Sequence, residues 1–341
     1  MHVLYRAFSF FYVFTCLATL SPVTNVQACK IRWVPGNHAR DVFRWNAGCN
    51  ISIYSSVPAS SALLLCSSSL HHYESEMSHY HYHTLTKMYY AHSLGYDVVF
   101  YVHPSDLPRG VSGYMVKAIA LNISIVDLNY THVFFTDWDS WISPLSSIKF
   151  ETLFFSWPNA SIILQAETGI CTGVMLFRKS LYTQHILNKW WYMTLGGCCF
   201  NHPADQVAFT HVLLSELAPL VGNASAYNKS VEVDLLNTGK YPRIVYPHGH
   251  GFLDFLIHSS FHLFNTTSPI GFAGYPSNPF LMLKGVELHS SLGFWPGTAS
   301  TCLVYHHGNR LRDREPVKFP FIMKQIRYHL SIWRSIAAGH E

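Results

Sequence analysis

The chain has 341 residues, of which 23 are Lys or Arg and 19 are Asp or Glu, a charged fraction of 12%; an ordinary globular protein carries about twice that. Nearly half of it (49%) is apolar, which excludes intrinsic disorder, because that much hydrophobic surface can offset the entropy of ordering. A net charge of +4 with no long Lys/Arg run excludes a nucleic-acid binder built on a basic patch.

Residues 1–20 read as a leader. Arg6 gives it a positive start, residues 7–20 are largely apolar, and Val26-Gln27-Ala28 supplies small residues for cleavage before Cys29. The competing reading is an uncleaved anchor, but the run is shorter than the about twenty residues a span needs. The expected order is therefore a signal peptide (or short anchor) over 1–28 and one domain over 29–341, since no repeat or low-complexity linker divides the rest.

Within that domain, residues 61–69 (SALLLCSSS) form a buried strand running into a small polar loop, and residues 80–94 a helix closed by Gly95. Residues 97–102 (DVVFYV) form a second buried strand, 113–121 a helix, and 131–136 (THVFFT) a third strand. Strands follow at 161–166 and 172–177, then helices at 180–194, capped by Ser180, and at 204–217. Beyond residue 230 the chain turns rich in Gly, Pro and aromatics, with short strands at 231–235 and 243–246. Apolar strands alternating with helices predict an α/β Rossmann-type sandwich with a mostly parallel central sheet, covered on both faces, and an irregular C-terminal acceptor region. Ligands of such sheets bind outside the carboxyl ends of the strands. The nucleotide-binding half is expected over about 60–145 and the acceptor or lid half over about 146–320.

Two features predict passage through the secretory lumen (Golgi or ER) or secretion. Seven N-x-S/T sequons occur, at Asn50, Asn122, Asn129, Asn159, Asn223, Asn228 and Asn265. Outside the leader the cysteines are Cys29, Cys49, Cys66, Cys171, Cys198, Cys199 and Cys302, without C-x-x-C metal spacing; they read as up to three disulfides and one further thiol.

The sharpest chemical signal is Asp137-Trp138-Asp139 at the end of an apolar strand. Strand residues two apart share a face, so both carboxylates are expected at one site with Trp138 turned away. Paired carboxylates are hard oxygen donors for Mn²⁺ or Mg²⁺, and such an ion bridges diphosphate oxygens. Two weaker signals follow: Thr172-Gly173-Val174-Met175-Leu176-Phe177-Arg178, where a small-Gly step lets backbone approach a sugar, and Ala204-Asp205-Gln206 at a helix start. Taken singly, these are a bulged strand and a first helical turn.

Their order resembles the GT-A-type nucleotide-diphospho-sugar transferases, above all the families that include extensin arabinosyltransferases and pectin xylosyltransferases and, at greater distance, α-galactosyl and α-xylosyl transferases. The likeness runs from about residue 63 to 312. It extends to Tyr246-Pro247-His248-Gly249 and Val304-Tyr305-His306-His307-Gly308-Asn309, which stand where those families have F-P-x-G and V-H-x-N. It departs from them at the Asn expected before the glycine step, whose place is taken by Thr172 or Cys171, and in a doubled late histidine.

The resemblance implies a metal-dependent luminal glycosyltransferase, of retaining stereochemistry, that moves a hexosyl or pentosyl group from a nucleotide-diphosphate sugar to a hydroxyl on a glycan or glycoprotein. It implies Asp137 and Asp139 with His306 or His307 as ligands of Mn²⁺ (or Mg²⁺), and Asp137, Asp139, Lys117, Thr172 and Gly173 at the donor. Asp205 and Gln206 are implied beside the reacting carbon. Arg178 is a second basic residue that could face the diphosphate, though an Arg ending a strand is more often exposed. No nucleic acid is expected, and a membrane only if the N-terminal segment stays uncleaved.

Two other classes compete: an inactive secreted binding protein on the same fold, and a His-rich metal-binding glycoprotein. The second rests on residues 71–83, where five histidines and two glutamates include His79 and His83 at helical i, i+4 spacing. A solvated helix is the preferred reading there. His248 and His250 are a further possible pair, in a glycine-rich loop. No G-x-S-x-G, P-loop or G-x-G-x-x-G occurs, so serine-nucleophile and dinucleotide chemistries fall away.

Overall fold

The computed structural model describes residues 27–32, 45, 48–55, 59–107, 111–142, 146–156, 158–166, 170–195, 204–217, 270–273, 287–290, 302–306, 327–328, 330–332 and 334–335. In chain order the strands and helices are β1 (Ala28–Arg32), β2 (Ile51–Ser55), β3 (Ser61–Ser67), α1 (Leu70–His79), α2 (His81–Leu94), β4 (Asp97–Val102), α3 (Val116–Val126), β5 (His132–Thr136), β6 (Ser140–Ile142), α4 (Leu153–Ser156), β7 (Ile162–Ala166), β8 (Ile170–Arg178), α5 (Leu181–Leu195), α6 (Ala204–Leu217), β9 (Ile270–Ala273), β10 (Glu287–Ser290) and β11 (Cys302–His306). Short 3-10 turns, Gly113–Met115 and Phe150–Thr152, lead into α3 and α4.

Eight strands form one sheet in the order β1-β2-β4-β3-β5-β8-β7-β9, and β10-β11-β6 form a small second sheet. The fold is α/β, with a mixed main sheet. Its centre, β4-β3-β5, is parallel, as are β1-β2 and β7-β9, while β2-β4, β5-β8 and β7-β8 are antiparallel. Every residue of β3 and β4 is buried, the pattern of strands covered on both faces. The chain leaves β3 for β4 on one side, then crosses back to β5 on the other. Right-handed crossovers in opposite directions put α1–α2 and α3 on opposite faces of the sheet. That reversal opens a crevice at the carboxyl ends of β3 and β5.

Local chemistry sets the element boundaries. Ser69 caps α1, its Oγ accepting from His72 N at 3.1 Å. Gly95, at φ 76°, ends α2 in the left-handed conformation that glycine tolerates best, and Ser180 caps α5 by accepting from Thr183 N at 3.0 Å.

The structure departs from the sequence reading in several places. The His-rich segment is not one solvated helix: it breaks at Tyr80 (φ −112°, ψ 27°), and Tyr73, Glu76, Met77 and His83 are buried. Strands β1, β2, β6, β9, β10 and β11 were not foreseen, while the strands expected at 231–246 lie outside the described residues. β1 and β2 are tied by a Cys29–Cys49 disulfide, and Cys66 is a buried free thiol. Cys16, Cys198 and Cys199 lie outside the described residues.

The first described residues bear on the expected cleavage before Cys29. Ala28 pairs with Ile51 in β2, the Gln27 carbonyl accepts from Asn50 N and Ile51 N, and Gln27 N donates to Asn50 Oδ1 at 2.9 Å. Cleavage there would remove two residues bonded into the sheet edge. None of the described helices is long and apolar enough to cross a membrane.

Candidate functional site

β5 delivers Asp137 to the carboxyl edge of the sheet, where the chain turns at once. Ser140 N and Ser140 Oγ both donate to the Asp137 carbonyl, at 3.2 and 2.6 Å, closing a turn over residues 137–140. The triplet is therefore not extended, and strand alternation does not set where its carboxylates point: the chain leaves β5 through this turn and enters β6 in the second sheet. Trp138 does turn inward. Its indole stacks on Phe100 at 5.7 Å and meets Tyr73 edge-on at 5.8 Å, and its Nε1 donates to the Cys66 carbonyl at 2.8 Å. The aromatic anchor fixes the turn to β3 and β4.

β8 runs antiparallel beside β5 and brings the second motif to the same place. The Gly173 carbonyl accepts from Asp137 N at 2.7 Å, and the Thr172 hydroxyl donates to Asp205 Oδ2 at 2.6 Å. Asp205 comes from the first turn of α6, where the helix dipole favours a carboxylate. Lys117, from the first turn of α3, closes the cluster. Its ammonium lies 2.7 Å from Asp205 Oδ2, and 3.0 and 3.1 Å from the two oxygens of Asp137.

Burial drives the Asp205 carboxyl upward, but Lys117 and the Thr172 hydroxyl more than reverse this, and its pKa falls below the ordinary value. For Lys117, burial favours the neutral amine, yet Asp137 and Asp205 outweigh it and raise the pKa. Lys117 and Asp205 are thus both charged at neutral pH.

Sequence reasoning missed a second buried lysine. Lys87, on α2, is wholly buried and donates to the Asp137 carbonyl at 2.6 Å and the Trp138 carbonyl at 3.3 Å. Burial lowers its pKa to about 7, opposed by the charges of Asp139, Asp137 and Glu76. The available signal was that Lys87 is the only Lys, Arg, Asp or Glu in the fourteen residues of α2. Three aspartates and two lysines thus gather at this edge of the sheet.

The other expected residues divide. Gln206 is half-buried next to Asp205. In the second sheet β11 pairs with β6 so that the backbone of His306 lies opposite Ser140, one residue beyond Asp139. His307, His248 and His250 lie outside the described residues. Arg178 belongs to the far end of the sheet: it pairs with His132 at the start of β5, donates to the Pro158 carbonyl at 2.7 Å and sits over the Phe154 ring. β8 is antiparallel to β5, so the end of its motif lies remote from Asp137.

The His79/His83 pair does not assemble a two-ligand face, because the helix breaks between them. His79 bonds the Ser75 carbonyl, while His83 is buried edge-on to Tyr80. His72 instead pairs with Glu76 at 3.0 Å.

Mn²⁺ or Mg²⁺ fits the donor chemistry at residues 137–139, since carboxylate oxygens are what a hard cation takes. Asp137 keeps 29% of its side chain exposed, and Asp139 is buried. Among the described residues no group of three His, Cys, Asp or Glu side chains is placed to hold a metal ion, so two aspartates would be only part of a shell.

No protein-family model matches the chain, and no curated protein matches it in sequence. Among solved structures it is similar to the crystal structure of a glycosyltransferase involved in the glycosylation of the major capsid of PBCV-1, at 13% identity and a TM-score of 0.44, over 78% of this chain and 98% of that one.

Proposed function

We propose that the chain is a glycosyltransferase that takes a sugar from a nucleotide-diphosphate donor and passes it to a hydroxyl of a glycan or glycoprotein in the secretory lumen. One observation carries the reading. Residues far apart in sequence, Lys117, Asp137, Thr172 and Asp205, meet in one buried charged cluster at the carboxyl edge of a parallel sheet core, with the backbone of His306 nearby. Those are the positions at which the sequence resembles nucleotide-sugar transferases. The Cys29–Cys49 disulfide suits an oxidising compartment.

In this reading Asp137 and Asp139, with His306 or His307, hold Mn²⁺ or Mg²⁺, which when bound supplies positive charge to the diphosphate. Lys117 presents a permanent ammonium at the same edge. In the transfer, the bond from the anomeric carbon to the diphosphate oxygen breaks and a bond to the acceptor oxygen forms. The nucleoside diphosphate leaves with the bonding pair, and the proton of the acceptor hydroxyl passes to its departing oxygen. Charge on that leaving group is what fixed cationic groups stabilise. Asp205, sealed between Lys117 and Thr172, orients Lys117, and Gln206 is left as the polar side chain facing the reacting carbon. Retention of configuration follows from the resemblance.

The test is a panel of nucleotide-sugars with Mn²⁺, following nucleoside-diphosphate release with and without glycan acceptors. Donor turnover that requires the metal and disappears in Asp139→Ala is the expected result. Donor binding without turnover on any acceptor would sink the enzyme reading in favour of a binding protein.

A further inference from the structure

We infer that Asn129 and Asn159 carry N-linked glycans that shield the end of the sheet opposite the candidate site, and that Asn50 and Asn122 remain unmodified. The inference requires luminal passage but not transferase activity.

A glycan is bulky and must lie on the surface, so a fold that buries a sequon is reached only by chains unmodified there. Asn129 is exposed in the turn between α3 and β5 and holds a left-handed φ of 63°, which Asn tolerates. Its Oδ1 accepts from Lys179 Nζ, whereas glycosylation uses Nδ2 and keeps that acceptor. Asn159 is exposed in the turn ahead of β7. The register puts both at one end: His132 of β5 pairs with Arg178 of β8, and Ile162 of β7 with Phe177. The five residues of β5, about 17 Å of strand, separate this end from Asp137.

That end also carries solvent-exposed apolar surface. Phe155, on α4 just before Asn159, is 82% exposed, and Leu181, at the start of α5 just after β8, is 85% exposed. They are the most exposed large hydrophobic side chains among the described residues, in a chain with few charges to keep it soluble. Hydrophilic glycans on the two flanking turns would cover them.

The other described sequons sit differently. Asn50 is 9% exposed and adjoins the Cys29–Cys49 bridge. Asn122, in the middle of α3, is half-buried. In the modification the amide Nδ2 displaces the lipid diphosphate from the anomeric carbon of a lipid-linked oligosaccharide. An N–C bond replaces a C–O bond, the amide gives up one proton, and the lipid diphosphate departs.

The full chain, with its own leader, is expressed in a eukaryotic secretory cell line, then enzymatically deglycosylated in ¹⁸O-water and mapped by peptide mass spectrometry. Label is expected at Asn129 and Asn159, and none at Asn50 or Asn122. Asn129→Gln/Asn159→Gln should lose the mass of two glycans and shift into aggregates, and adding Phe155→Ser and Leu181→Ser should return it to the soluble fraction. Label at Asn50 or Asn122, absence of label at Asn129 or Asn159, or a chain with no glycan at all overturns the inference. Because none of these residues lies in the candidate site, nucleotide-sugar turnover by the soluble fraction reports separately on the transferase reading.

Discussion

Lys117 is held by two carboxylates in a site almost closed to water, and that makes it costly to remove. Breaking a buried ion pair by deleting one partner leaves uncompensated charge, typically a loss of about 3–5 kcal/mol. Lys117→Met should lose stability on that scale in denaturant titration, while pairing it with Asp205→Asn should recover part of the loss by removing the stranded charge. Lys87 acts one step behind the site. Lys87→Met would remove one donor from the Asp137 carbonyl, which keeps Ser140, and one from the Trp138 carbonyl, a cost of about 1–3 kcal/mol. Turnover of the donor should fall further than stability alone accounts for, up to about a hundred-fold, because small displacements of reacting groups are expensive. Lys87→Arg retaining full turnover with the Met variant equally active would remove Lys87 from any positioning role.

Two element contacts frame the crevice. The 3-10 turn at Gly113 lies against the loop after β3, where a Cβ on Gly113 would meet Ser68 Oγ at 2.8 Å and Ser68 Cβ at 3.0 Å. Gly113→Ala should therefore lower the melting temperature, and Ser68→Gly in the same chain should restore it by emptying the contested space. On the other side α6, which carries Asp205, is tied to α5 through Glu216, bonded by Lys189 and by His185 at 3.1 Å. Burial raises the Glu216 carboxyl, but these partners more than offset it and its pKa is lowered. A depressed carboxyl pKa adds stability above the unfolded-state value near 4.5 that is lost as pH falls through the folded value. Wild type should thus lose more stability than Glu216→Gln on acidification below pH about 4.5, read as the difference in melting temperature across a pH series.

At the scale of the whole molecule the sheet edge β1 depends on a covalent tie. The Cys29–Cys49 bridge spans 20 residues, and closing a loop of that length stabilises by about 3 kcal/mol through the unfolded state. Cys29→Ser/Cys49→Ser should lose up to that amount in chemical denaturation, with β1 exchanging amide protons first. The sheet's two ends also differ in kind: buried charge gathers at the carboxyl ends of β3 and β5, while exposed turns and apolar side chains occupy the other.

Much of this was legible in the chain itself. β3, β4 and β5 are continuous apolar runs bounded by polar residues, so burial on both faces and an α/β layering follow from local pattern alone, as does the placing of Asp137 at a strand end. β6, three residues long, and the exposed alternating β1 had too little pattern to be seen. Helix α1 was read as part of a solvated helix because histidine reads as polar, although Tyr73 and Met77 on its turns are buried. What no local pattern contains is pairing across the fold. Lys117 meets Asp205 over a separation of 88 residues, and Lys87 reaches the Asp137 carbonyl over 50. Periodicity records which face of an element is apolar; which charged groups share a low-dielectric edge depends on strand order, and only the tertiary structure sets that.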